Sequence, residues 1–207
     1  MPIQVTLTEF MNFVLKSGSA KHTIVKQAKK RHEDVNSPYT PGSDYWYYLR
    51  RQITEYHKKG KEKEYLDNVL SSIPTDRREN YKKMIDGYKK FLGKKKKFDY
   101  IAPTKKTWSV GDIRVVLNPE LTLEYNGRVY VIKLFLSADN VIDRKHADLI
   151  LTLMEAEMRS KVGGEEPIFA VLDVKRGKLF TQNNKGLDLM VLLEGEARSF
   201  ETQWKKL

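Results

Sequence analysis

The chain of 207 residues is 40% hydrophobic, 11% aromatic and 31% charged, which excludes compositional disorder and allows a sizeable core. It has no cysteine, which excludes disulfides and cysteine–zinc sites, and no apolar run approaches the roughly 20 residues that span a bilayer. Residues 1–106 hold 24 Lys and Arg against 12 Asp and Glu, whereas residues 107–207 hold 14 against 15. The excess of positive charge in the first half indicates that this half has an anionic partner, either nucleic acid or an acidic membrane surface.

The first half predicts a series of helices joined by short loops. Residues 6–9 form the capping-box pattern of a helix start, and a second helix with a wide basic face is expected over residues 20–33. A third helix is predicted to begin at a Ser43 cap. The strongest helical pattern follows Thr75, where apolar side chains recur at helical spacing until Gly93 stops the helix.

After about Phe98 the spacing of apolar residues changes to that of strands. Strands are predicted over residues 110–117, 121–125, 129–136, 167–174 and 178–181, with helices over residues 139–159 and 187–206. The predicted fold class is therefore α+β. It divides into a basic helical region over residues 1–97 and a small mixed β-sheet core, of βββαβ order with flanking helices, over residues 98–207.

The Asn-Gly pair at residues 126–127 is the strongest short hairpin signal that a sequence can carry. A two-residue turn there pairs residues whose numbers sum to 253, so Leu121 faces Ile132 on an apolar, core-forming face. On the other face Glu120 lies directly across from Lys133, with Cβ atoms about 5 Å apart. One interpretation is an exposed ion pair worth under about 1 kcal/mol. The other is a metal-binding carboxylate beside a lysine that positions an attacking water or a scissile phosphate.

This strand order, with a carboxylate on the second strand and a lysine on the third, resembles the PD-(D/E)xK nuclease-like superfamily over about residues 110–174. Pro119-Glu120 matches the family's first acid, and residues 131–133 match its acid-x-Lys. The resemblance implies a restriction-endonuclease-like layout and phosphodiester hydrolysis with Mg²⁺ or Mn²⁺, in which Glu120 holds the metal and Lys133 positions the nucleophile. Val131 stands where the family has its second acid. Another acid would then have to complete the site: Glu124, Asp112, Asp143 or Asp148.

Cations of the helical region are predicted to hold the phosphate backbone of a nucleic acid, with DNA expected rather than RNA. They are Lys26, Lys29, Lys30, Arg31, Arg50, Arg51, Lys94, Lys95, Lys96 and Lys97. The alternative is a non-catalytic interaction protein that uses the same surface for nucleic acid or another acidic partner. The first residues lack the basic start and apolar stretch of a signal peptide, so a cytoplasmic protein is expected.

Overall fold

The computed structural model of the chain describes residues 2–33, 44–94, 96–162, 166–182 and 189–207. The fold is α+β, as the sequence predicts. The helices are α1 (Leu7–Val14), α2 (Ser19–Glu33), α3 (Tyr47–Lys58), α4 (Glu64–Asn68), α5 (Thr75–Leu92), α6 (Arg144–Met158) and α7 (Leu189–Lys206). The strands are β1 (Ile3–Thr6), β2 (Asp99–Ile101), β3 (Lys106–Val110), β4 (Ile113–Leu117), β5 (Leu121–Tyr125), β6 (Arg128–Phe135), β7 (Ile168–Asp173) and β8 (Lys178–Thr181). None of the described helices is both long enough and apolar enough to cross a membrane.

Local signals fix the ends of two helices. The Thr6 hydroxyl accepts a hydrogen bond from the Glu9 N–H at 3.2 Å, and the Glu9 carboxylate accepts one from the Thr6 N–H at 2.9 Å. The predicted capping box of α1 is therefore confirmed. Helix α5 ends at Gly93, whose φ of 61° lies in the left-handed region that favours glycine.

Three other helices begin elsewhere than predicted or at residues outside the described part of the chain. Helix α6 begins at Arg144 rather than at residue 139, because the Asp143 side chain caps it by accepting a hydrogen bond from the His146 N–H at 2.9 Å. Ser43, predicted to cap α3, lies outside the described residues, and α3 begins later than predicted, at Tyr47 with Trp46 at its N-cap position. The predicted start of α7 at residue 187 also lies outside the described residues.

The smaller sheet has the order β1-β4-β3, with β1 parallel and β3 antiparallel to β4. The single strand predicted over residues 110–117 is wrong, because the chain reverses at Gly111 and Asp112 and forms a hairpin of β3 and β4. Gly111 has a φ of 57°, which glycine adopts without a steric penalty. Strand β1 has four residues and pairs with a strand about 110 positions away, so no local pattern indicates it.

The larger sheet has the order β2-β5-β6-β7-β8, in which only β6 and β7 are parallel. Both the turn and the register of the predicted hairpin are confirmed, since Leu121 pairs with Ile132 and Tyr125 pairs with Arg128. Residues 126 and 127 have φ values of 51° and 70°, as a two-residue turn of this kind requires.

Both faces of the larger sheet are covered, because alternate residues of its strands enter different cores. Ile132 and Leu134 belong to one core, which α3, α4 and α5 complete. Val131 and Val171 belong to the other, which contains residues of α1, α2, α6, α7 and the smaller sheet. Each core draws on residues from both sides of position 97, so the predicted division of the chain at that point is not a boundary of packing.

Candidate functional site

The predicted contact between Glu120 and Lys133 is present. Glu120 lies immediately before β5 and Lys133 lies on β6, and the Lys133 Nζ is 2.5 Å from the Glu120 Oε1. The second carboxylate oxygen, Oε2, accepts a hydrogen bond from the Leu134 N–H at 2.8 Å. Both oxygens of Glu120 are therefore engaged by the neighbouring strand.

Lys133 is buried and Glu120 is largely shielded from solvent, which corrects the interpretation of an exposed ion pair. The Lys133 and Glu120 side chains are only 6% and 12% exposed. Lys133 is buried because its face of the sheet does not face solvent. That face also carries Val131 and packs into the core that contains α6. A buried ion pair contributes little net stability, but removing one partner leaves an uncompensated charge in the interior.

Two of the four acids proposed to complete a metal site, Asp112 and Glu124, lie away from Glu120. Asp112 is in the turn between β3 and β4 and pairs with Lys205 of α7 at 2.6 Å, a hydrogen bond that lowers the pKa of Asp112. The length of β4 separates Asp112 from Glu120, and five strand residues span roughly 16 Å. Glu124 is four residues after Glu120 on the same strand face, roughly 13 Å along the strand. Neither can share an ion with Glu120, because metal–oxygen distances are about 2 Å.

Other acids near this face of the sheet are paired within their own segments. Asp148 of α6 pairs with Arg144 at 2.7 Å, and Asp173 at the end of β7 pairs with Arg176 at 2.7 Å. Asp148 and Asp173 are both buried, so each needs its arginine for charge compensation. Asp143 is occupied as the cap of α6.

The geometry does not favour Mg²⁺ or Mn²⁺ at Glu120. Lys133 and the Leu134 N–H already occupy its carboxylate, and the described part of the chain contains no group of three or more His, Asp or Glu placed to hold a metal ion. We therefore derive no reaction step through a metal. The catalytic roles expected for Glu120, Lys133, Glu124 and Asp112 stay predictions.

The predicted backbone-binding cations fall into two groups. The first lies on α2, where Lys29 donates to the Trp204 carbonyl at 3.2 Å and Arg31 pairs with Glu9 at 2.8 Å. Lys26 and Lys30 are exposed and have no hydrogen bond or ion pair among the described residues. Together with Lys29, Glu33 and Leu207 they line an open groove of about 420 Å³, which we call the α2–α7 groove.

The second group lies on the other face of the larger sheet, around α3 and α5. Arg50 pairs with Asp44, and Arg51 is exposed. Lys96 donates to the Phe91 carbonyl at 3.3 Å, whereas Lys94 and Lys97 are exposed. Lys95 lies outside the described residues.

The carboxyl ends of α3 and α5 meet at a junction of aromatic side chains. His57 of α3 approaches Tyr88 of α5, with 2.5 Å between the His57 Nε2 and the Tyr88 hydroxyl oxygen. Phe98 closes the junction, with its ring centroid 5.9 Å from that of His57 and 5.5 Å from that of Phe91. Lys63, from the segment after α3, donates a hydrogen bond to the Gly93 carbonyl and brings that segment to the end of α5.

Five exposed lysines belong to the segments that meet at this junction, and none has a side-chain hydrogen bond or ion pair among the described residues. They are Lys58, Lys61, Lys90, Lys94 and Lys97, which we call the α3–α5 lysine patch. Each carboxyl end of a helix carries roughly half a negative charge, so two ends offset about one of the five positive charges. The same segments also carry the exposed acids Glu62, Glu64 and Asp99, so part of the positive charge is available to an anionic partner.

Sequence reasoning missed three members of this patch: Lys58, Lys61 and Lys90. Each stands among ordinary surface lysines of a helix or loop, and no local signal separates it from paired neighbours such as Lys59. Only the packing of α3 against α5 brings the segments that carry these residues to the segment that carries Lys94 and Lys97.

The junction gives the protein an acid-sensitive element. Burial lowers the pKa of His57 to about 4 and raises the pKa of Tyr88, so a neutral imidazole ring shares a hydrogen bond with a protonated Tyr88 hydroxyl. Below a pH of about 6.5 the unfolded chain protonates His57 while the folded chain does not. We expect the free energy of unfolding to fall by about 2 kcal/mol between about pH 7.5 and about pH 5, measured by urea denaturation.

His57→Gln tests this origin of the acid sensitivity, because the amide can still bond Tyr88 but does not titrate. The variant is expected to lose most of the pH dependence over that interval. His22→Gln is the control, since His22 is exposed on α2, and it is expected to keep the wild-type dependence. An unchanged dependence in His57→Gln would contradict the assignment.

Comparison with known proteins adds no relative to this picture: no family model matches the chain, and no curated protein is significantly similar to it.

Proposed function

We propose that the protein binds the phosphate backbone of nucleic acid through the α3–α5 lysine patch, with duplex DNA as the expected partner. The observation that carries the proposal is that five exposed lysines, without side-chain partners among the described residues, belong to the segments that meet where two helices end. Lysines that each neutralise one phosphate release counterions from the DNA, and this release supplies sequence-independent affinity.

The surroundings of the patch support nucleic acid over an acidic membrane. Membrane-surface binding by a basic segment needs a bulky apolar face beside the charges. The large exposed apolar side chains among the described residues are Ile101, Val141, Val191, Leu192 and Leu207, and only Ile101 is near the patch in sequence. One such side chain is a weak membrane anchor, whereas five separated ammonium groups suit a polyanion.

The first test replaces lysines of the patch. Lys58→Gln, Lys90→Gln and Lys97→Gln in one chain are expected to weaken binding to a short duplex by about tenfold or more and to lower the salt slope by about 2 to 3. The substitutions lie on the surface, so the fold is retained. A mobility-shift titration at several salt concentrations measures both quantities.

A matched control removes the same charge from lysines that already have acidic partners. Lys59, Lys82 and Lys83 pair with Glu55, Asp86 and Glu79. Their replacement by Gln is expected to change the salt slope by less than about 1. Equal losses in the two triple variants would show that net charge alone drives binding and would overturn the assignment of the patch. Tighter binding to anionic vesicles than to duplex DNA would replace the nucleic-acid proposal with the membrane one.

A second candidate function is metal-dependent hydrolysis of the bound phosphodiester. The side-by-side position of Glu120 and Lys133 is the observation behind it, although Lys133 and the Leu134 N–H occupy the Glu120 carboxylate in this structure. In this proposal Lys133 would steady the attacking water or the phosphate. It requires Glu120 to exchange its two present partners for Mg²⁺ or Mn²⁺. Plasmid cleavage that depends on either metal and disappears in Glu120→Gln supports hydrolysis, and binding without cleavage leaves the non-catalytic protein.

A further inference from the structure

The α2–α7 groove is formed by two parallel helices. Lys21 pairs with Glu196 at 2.5 Å and Lys29 donates to the Trp204 carbonyl at 3.2 Å, so both contacts join residues 175 positions apart. A constant offset means that α2 and α7 run in the same direction and end on the same side of the protein. The groove lies between these two carboxyl ends.

Two of the lysines that line the groove are free to contact a ligand. Lys26 and Lys30 are one helical turn apart on α2, which places both ammonium groups on one face. Lys206 in the last turn of α7 is also exposed and has no ion pair among the described residues. Glu33 is the acid that lines the groove, and it approaches Lys29 at 3.6 Å.

The groove and the α3–α5 lysine patch lie on opposite faces of the larger sheet. Val25 and Ala28 anchor α2 in one core, whereas Leu49 and Ile53 anchor α3 in the other. A layer of helices packs about 10 Å from the sheet on each of its two faces. The two basic surfaces are therefore separated by the sheet and by both layers of helices. One duplex would have to bend sharply around that body to contact both, against a persistence length of about 150 base pairs.

We propose that the α2–α7 groove is a second phosphate-backbone site and that the protein bridges two separate duplex segments. This inference rests on the proposed function, because it needs the α3–α5 lysine patch to hold the first segment. Each surface then binds one stiff duplex, and the rigid sheet between them holds the two segments apart. The ligand class at the groove is the same polyanionic backbone, recognised by charge without base contacts.

The experiment measures bridging directly. Biotinylated duplex is fixed to beads, the full-length protein is added, and the capture of a second, fluorescent duplex is recorded beside a mobility shift on a single duplex. Wild type is expected to shift the single duplex and to capture the fluorescent one. Lys26→Gln with Lys30→Gln is expected to lower capture by roughly tenfold while changing the single-duplex affinity by less than about threefold. The paired lysines Lys82 and Lys83, replaced by Gln together, form the control and are expected to leave capture unchanged.

The outcomes separate this inference from the proposed function. A wild type that shifts no duplex at low salt overturns the proposed function itself. A wild type that shifts the single duplex but captures no second one overturns only the bridging inference. Capture that survives the Lys26 and Lys30 substitutions also overturns it, because bridging would then arise from self-association. A loss of single-duplex affinity as large as in the patch variant overturns it as well, since the two surfaces would then act as one site.

Discussion

Glu120→Ala is expected to lower the free energy of unfolding by about 4 kcal/mol. The substitution leaves the Lys133 ammonium in the interior without its carboxylate, and the Leu134 N–H loses its acceptor. An unpaired charge in a water-poor environment costs more than the pair contributed, so the effect exceeds that of an ordinary surface ion pair. Chemical denaturation monitored by circular dichroism measures the loss.

The control replaces both partners. Glu120→Leu together with Lys133→Met removes the two charges and keeps apolar volume in the site, so it is expected to recover most of the loss. A residual destabilisation of about 1 to 2 kcal/mol is expected, because the Leu134 N–H still lacks its acceptor. A Glu120→Ala variant as stable as wild type would contradict the buried pair. The folded double variant also tests whether the pair takes part in catalysis. If the double variant binds DNA and cleaves it as wild type does, Glu120 and Lys133 are not catalytic residues.

Gly87→Ala in α5 is expected to destabilise the protein by about 3 kcal/mol. A Cβ atom at Gly87 would lie 2.1 Å from the Val174 carbonyl oxygen and 2.4 Å from that of Lys175. These are backbone atoms at the end of β7, so no rotamer change relieves the overlap and α5 must move away from the sheet. The clash outweighs the gain of up to about 1 kcal/mol that alanine normally brings to a helix.

Gly195→Ala in α7 is the matched control, because a Cβ atom there meets no atom within 4 Å. Replacing Gly195 by alanine is expected to raise the free energy of unfolding by about 0.5 to 1 kcal/mol. Opposite signs for the two substitutions, measured by urea denaturation, support the close approach of α5 to β7. A Gly87→Ala variant that gains stability like Gly195→Ala would contradict it.

The sequence predicts those parts of the structure that depend on neighbouring residues. The Asn-Gly turn at residues 126–127 sets the register of β5 and β6, and that register alone places Glu120 beside Lys133. The helical spacing after Thr75 gives α5, and its stop at Gly93 is confirmed. In each case a few adjacent residues determine the backbone, so a local pattern is sufficient.

The features that the sequence does not predict depend on contacts between distant segments. The burial of Lys133 follows from α6 packing on a face whose strand pattern is mixed polar and apolar. Strand β1 is held by parallel pairing with β4, which leaves no signature in its four residues. The α3–α5 lysine patch requires the ends of two helices and the Phe98 segment to meet, and each lysine alone resembles any solvated one.

The separation of the predicted cations onto two faces also follows from tertiary packing. Lys26 and Arg50 are both on basic helices of the first half, and the sequence groups them as one surface. Because α2 joins one core and α3 the other, the two residues face opposite sides of the larger sheet. This division turns one predicted basic surface into two and is the basis of the bridging inference.

The measurement that tests the central claim most directly is a mobility shift of wild-type protein on a short duplex as salt rises from about 50 to about 200 mM. The α3–α5 lysine patch gives an expected slope of log affinity against log salt of about −4 or steeper, from five lysines at about 0.9 each. Parallel lanes with plasmid and Mg²⁺ or Mn²⁺ report cleavage in the same samples. A steep, linear slope supports backbone binding by the patch, and no shift at the lowest salt, or a slope near zero, would contradict it.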